Sequence, residues 1–74
     1  MIGNRDEKVI RAFGRNLRKA RQAKGLSMRQ LALEADMDHG TIRAIESGES
    51  NPMLTTIMVL ARALEVDPAI LLPK

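Results

Sequence analysis

The chain has no cysteine, tryptophan or tyrosine, one phenylalanine, Phe13, and one histidine, His39. Without cysteine there can be neither disulfides nor thiolate metal sites. A lone histidine cannot build a multi-histidine metal centre, so neither a metal nor another cofactor is expected. A lone aromatic ring cannot form the stacking platform that grips single-stranded nucleic acid. No apolar run approaches the roughly 20 residues of a membrane span. The polar start, MIGNRDEK, lacks the apolar centre of a signal peptide. A cytoplasmic protein with no membrane contact is the expectation. Catalytic groupings are missing too. Asp36, Asp38 and His39 lie close in sequence, but the two aspartates sit at helix boundaries, where capping accounts for them. No nucleophile–base pair or phosphate-cradling loop accompanies them, so neither an enzyme nor a small-molecule substrate is expected.

What is present is charge, unevenly placed. The 74 residues carry a net +3. Residues 1–29 hold nine Lys/Arg and two acids, and residues 30–74 hold three Lys/Arg and seven acids, so the halves carry +7 and −4. That asymmetry fits a basic surface facing a polyanion, beside the plainer reading of solvated helix faces. A chain this short buries only roughly 60% of its unfolded surface, so one small domain, residues 1–74, is expected.

Apolar spacing is helical throughout. Ile10, Phe13, Leu17 and Ala20 make one stripe over residues 7–24, and Gly25 supplies a stop. Residues 1–6 read as a flexible arm. Ser27 is an N-cap with Gln30 three residues on, so a capped helix spans residues 28–35 with Leu31, Ala32 and Ala35 inward. Asp36 takes the turn, in a left-handed conformation that Asp tolerates better than most residues. Asp38 caps the next helix, residues 39–47, with Ile42 and Ile45 inward and Gly48 at its end. After the ESNP loop a fourth helix covers residues 53–64, its stripe being Leu54, Ile57, Leu60, Ala61 and Leu64. Asp67 and Pro68 open a last short helix that includes Ile70, Leu71 and Leu72. The fold class is therefore all-α, a five-helix bundle with very short connections.

Residues 28–47 form two short helices joined by a tight turn, a helix-turn-helix. Small Ala32 permits a close crossing. The second helix keeps an open face of His39, Gly40, Arg43, Ala44 and Ser47, able to enter a major groove. Gly40 costs a helix interior about 1 kcal/mol relative to alanine, less in a first turn.

The spaced elements KGLS, LA, TIRAIESG, NP and LARALEV resemble a Cro/CI-type, or XRE-family, helix-turn-helix domain, from about Phe13 to Leu72. The resemblance implies a lambda-repressor-like fold of five helices that binds double-stranded operator DNA, commonly as a homodimer. It places His39, Gly40, Arg43 and Ala44 at base edges. It places Ser27, Met28, Arg29, Thr41, Ser47, Ser50 and Asn51 beside phosphates. It implies an ion pair between Arg21 and Glu46. The sequence departs from the family's usual residues at Met28, where glutamine is frequent, at Asp36, where glycine is frequent, and at Glu49, where a base is frequent. Helix four is apolar over more than one face, and Met58, Val59, Ile70 and Leu72 are expected to form a homodimer interface. A sequence-specific regulator, repressor or autoregulator, binding a pseudo-palindromic operator is the leading expectation. A non-catalytic protein-interaction adaptor, or an antitoxin-like subunit on the same scaffold, is the alternative.

Overall fold

Four of the five helices begin on a side chain that accepts a backbone N–H. The structure, a computed structural model, describes residues 5–74. Its helices are α1 (Glu7–Ala23), α2 (Met28–Ala35), α3 (His39–Glu46), α4 (Leu54–Leu64) and α5 (Pro68–Leu71). Asp6, Ser27, Asp38 and Asp67 cap α1, α2, α3 and α5. At Ser27 the capping box is complete: Ser27 Oγ accepts from Gln30 N at 3.1 Å and Gln30 Oε1 accepts from Ser27 N at 2.7 Å. Helix α4 starts one residue later than expected, because Met53 is its N-cap and has no oxygen to cap with. Of the expected arm, residues 1–4 lie outside the described residues. Arg5 and Asp6 are engaged, Asp6 as the α1 cap and Arg5 in hydrogen bonds to Glu7 and Glu49.

The stops are as specific as the starts. Four helices end on a residue with positive φ: Gly25 after α1, Asp36 after α2, Gly48 after α3 and Glu65 after α4. In each case a backbone N–H just past the end turns back to the last turn. Examples are Met37 N to Ala32 O at 2.8 Å and Glu49 N to Ala44 O at 2.9 Å. These bonds satisfy carbonyls the helix itself leaves open. Two of the four turns manage this without glycine.

Among the described residues the chain is all-α. Helix α3 packs on α1 and α2, α4 packs on α2 and α5, and α5 returns to α1. One core joins all five helices, with Leu17, Leu31, Ile42, Ile45, Leu60 and Leu71 fully buried and Phe13 beside them. Burying each such side chain contributes roughly 1.5–3 kcal/mol. Asn16 Nδ2 donates to Leu71 O at 3.1 Å and ties α5 to α1.

Two apolar positions differ from the sequence reading. Leu54, expected on the inward stripe of α4, is 74% exposed. At about 100° per residue it lies roughly 120° round the helix from buried Leu60, off the core face. Val59, expected on the outer face, is partly buried against the core and lines the cleft with Ala35 and Asp36 at the end of α2.

Candidate nucleic-acid interface

Helix α3 is held from behind along its whole length. Ile42 and Ile45 point into the core, and this leaves His39, Gly40, Thr41, Arg43, Ala44 and Ser47 on the outer side. Arg43, Thr41 and Ser47 are exposed, while His39, Gly40 and Ala44 are half-buried. The open face thus combines a cation, an imidazole and hydroxyls with two positions too small to obstruct an approaching surface.

Two contacts with α1 fix the C-terminal end of α3. The first is steric. A Cβ on Gly14 would lie 2.8 Å from Glu46 O and closer still to Ile45 O, so α1 and α3 meet backbone to backbone there. The sequence reading placed a close crossing of α2 and α3 at Ala32, which is buried within α2; the crossing of α1 and α3 at Gly14, where no side chain fits, is a separate contact that it did not anticipate. A glycine four residues after Ile10 and three before Leu17, within an apolar stripe, is the signal that could have revealed it.

The second contact is ionic. Arg21 Nε donates to Glu46 Oε2 at 2.6 Å and Arg21 Nη2 donates to Glu46 Oε1 at 2.9 Å. The third nitrogen, Nη1, donates to Leu26 O at 2.8 Å. Both side chains are almost wholly buried. One guanidinium therefore joins the end of α3 to the turn between α1 and α2, in the planar two-pronged geometry only arginine offers. Donation of hydrogen bonds to the Glu46 carboxylate is the main reason the Arg21 pKa lies above its ordinary value. The guanidinium is charged at every attainable pH.

The N-terminal end of α3 has a different device. Asp38 Oδ2 accepts from Gly40 N at 3.0 Å. A Cβ on Gly40 would meet that same oxygen at 2.9 Å and no backbone. Gly40 sits in the first turn, against a movable carboxylate. It is not forced to be glycine by packing within the chain.

The residues flanking α3 are arranged as follows. Ser27, the α2 cap, and Arg29 are exposed at the start of α2, whereas Met28 is half-buried and packs against the core. At the far end the single Ser47 hydroxyl proton is within reach of two acceptors, Ala44 O at 3.1 Å and Glu49 Oε2 at 2.9 Å. The Glu49 carboxylate is thereby partly occupied within the protein. Ser50 is half-buried and Asn51 exposed in the following loop. Arg5 Nη2 donates to Glu49 O at 2.7 Å, and the Arg11 stem packs over Gly48, where a Cβ would fall 2.5 Å from Arg11 Cγ. Arg5 and Arg11 adjoin this loop although the sequence reading gave them no role there, because their distance along the chain hid it.

No group of acids and histidine is clustered to hold a metal ion among the described residues. No helix among them is long and apolar enough to cross a membrane.

Two short helices, a tight left-handed turn and an open second helix clamped from behind define a helix-turn-helix domain. The helix-turn-helix family profile matches residues 17–71, and the chain belongs to that family, whose members of this XRE type are DNA-binding transcription regulators and not enzymes. Among solved structures it resembles the restriction-modification controller protein C.AhdI from Aeromonas hydrophila, with 39% identity and a TM-score of 0.82, over 84% of this chain and 94% of that one. It is also similar to the hypothetical transcription factor NHTF from Neisseria, with 32% identity and a TM-score of 0.83, over 99% of this chain and 85% of that one. A third likeness is to the clp gene regulator ClgR from C. glutamicum, with 26% identity and a TM-score of 0.82, over 85% and 82% of the two chains. No curated protein sequence matches the chain.

Proposed function

We propose that the protein is a cytoplasmic, sequence-specific regulator that docks on a pseudo-palindromic operator as a two-fold dimer, with α3 in the major groove. The observation that carries this reading is the open face of α3 opposite the Arg21–Glu46 pair and the backbone crossing at Gly14. Base choice falls to Arg43 and His39 as hydrogen-bonding groups, and to Gly40 and Ala44 as close, small surfaces that can meet thymine methyls. Ser27, Met28 and Arg29 at the start of α2, Thr41 and Ser47 on the rim of α3, and Ser50 and Asn51 in the loop set the register against phosphates. Met28 does so through its backbone at the helix N-terminus, since its side chain packs inward. Likeness to a controller protein and to a gene regulator supports repression or autoregulation over the adaptor alternative.

The dimer face in this reading is the outer side of α4 and α5. Leu54, Met58, Ile70 and Leu72 are 74%, 43%, 58% and 43% exposed, while their neighbours Leu60 and Leu71 are fully buried. Such apolar exposure on two adjoining helices supports cover by a second copy, as an isologous pair. Val59 belongs to the core rim and contributes less. Recognition helices would then stand about 34 Å apart, one DNA turn.

The test is selection of bound duplexes from random sequence by the purified protein, followed by titration of the selected duplex across salt. A palindromic selected site and affinity that falls with salt are expected. Binding to no duplex, or binding indifferent to salt, would return the adaptor reading.

A further inference from the structure

We infer that the edge of α1 bearing Arg11 and Arg18 is a second docking strip for duplex DNA, gripping phosphates outside the half-site that α3 reads. This rests on the DNA-binding reading above. Its starting point is Gly14, where α1 crosses the C-terminal end of α3 backbone to backbone. Arg11 precedes Gly14 by three residues and Arg18 follows it by four, and on a helix those spacings share a face. The two arginines therefore flank the crossing on the side toward α3. For Arg11 the placement is seen directly, because its stem lies over Gly48 at the end of α3. Arg5, bonded to Glu49 O, stands beside it. A basic edge thus runs on from the proposed phosphate loop along α1.

Arg5 is paired with Glu7 at 2.6 Å, but the charges of Arg11 and Arg18 are available. Arg11 has only a loose ion pair, Nη1 to Glu7 Oε1 at 3.9 Å between half-exposed side chains. Such a surface pair is worth little and is easily exchanged for a phosphate. Arg18 is exposed and has no ion pair among the described residues. After Glu7 the helix has no acid, although Lys8, Arg11, Arg15, Arg18, Lys19 and Arg21 crowd its length. Like charges three and four residues apart repel and weaken a helix. A face kept merely soluble would mix signs, so a polyanion is the partner that fits. Duplex DNA is favoured over an acidic protein because the strip adjoins the recognition helix. The opposite flank of α1 supplies a control: Lys19 lines a groove with Asn16 and Ile70, toward α5 and away from α3.

The experiment compares wild type, R11Q/R18Q, R11K/R18K and K19Q on the wild-type-selected duplex. One form of the duplex holds the selected site alone, and the other carries about one added helical turn at each end. Circular dichroism checks that each variant remains helical, which their exposure leads us to expect. On the long duplex the slope of log affinity against log salt should flatten by about 3.6 in R11Q/R18Q, because the dimer loses four phosphate contacts at about 0.9 each. The Lys pair and K19Q should keep the wild-type slope. On the short duplex R11Q/R18Q should match wild type. An unchanged slope for R11Q/R18Q on the long duplex, or an equal loss in K19Q, overturns the strip while leaving the major-groove reading intact. Wild type that binds no duplex overturns both.

Discussion

Arg21 and Glu46 meet through two buried hydrogen bonds, at 2.6 and 2.9 Å, whereas the other ion pairs among the described residues lie at the surface. Removing one partner leaves an uncompensated buried charge. Glu46→Ala or Arg21→Ala should therefore lower unfolding stability by about 3–5 kcal/mol. Arg21→Lys should recover only part of that, since an ammonium cannot span both carboxylate oxygens and Leu26 O in one plane. Urea denaturation decides it. Losses under 1 kcal/mol for both alanine variants would show the pair to be ornamental.

Gly14 and Gly40 make opposite predictions. Gly14→Ala forces a methyl against the carbonyls of Ile45 and Glu46 and should cost about 1–3 kcal/mol, with α3 displaced and DNA affinity reduced. Gly40→Ala meets only the movable Asp38 carboxylate, so stability should change by less than about 1 kcal/mol, the helix gain offsetting a weakened cap. Any effect of Gly40→Ala should appear in duplex preference. Equal melting temperatures for both variants would contradict the crossing at Gly14.

Asp36 and Glu65 hold left-handed conformations at φ 54° and 58°. Asp36→Gly removes a steric cost of about 1–2 kcal/mol and adds a smaller entropic one to the unfolded chain. A gain of about 0.5–1 kcal/mol is expected, read as a higher urea midpoint at constant slope. A lower midpoint would mean that the Asp36 side chain does more than occupy the turn.

These two glycines and two acids show where the sequence was readable. Helix starts were legible because a cap is a local event: Ser27 with Gln30, Asp38, and Asp67 with Pro68 each announce a helix within three residues. The start of α4 was set one residue early because nothing local marks it. Asp36 betrayed its turn through its residue type, while Glu65 gave no such sign. The open face of α3 was visible as a stripe opposite Ile42 and Ile45. Gly14, Arg5 and Arg11 were not, since their importance depends on which distant backbone they touch. Leu54 was misplaced because a mostly apolar helix has no clear inward edge at its first turn.

The apolar face of α4 and α5 should hold a dimer together. Leu54→Glu with Ile70→Glu should leave helicity intact and shift the sedimenting species to a monomer, because both side chains are exposed in the single chain. Val59→Glu should instead lower stability, since Val59 packs on the core. Wild type that sediments as a monomer at high micromolar concentration would refute the dimer.

Base reading by α3 is what would make the protein a sequence-specific regulator and not a general DNA binder. The direct measurement is the ratio of affinities for the selected duplex and a scrambled one, at fixed salt, for wild type, Arg29→Ala and Arg43→Ala. Arg43 is exposed on the open face of α3 and Arg29 at the start of α2. Loss of a base contact at Arg43 should lower the ratio by about 1–3 kcal/mol, roughly 5- to 150-fold. Loss of a phosphate contact at Arg29 should weaken both duplexes alike and leave the ratio unchanged. If Arg43→Ala preserves the ratio as Arg29→Ala does, Arg43 touches only the backbone and the assignment of base readout to this face of α3 is wrong.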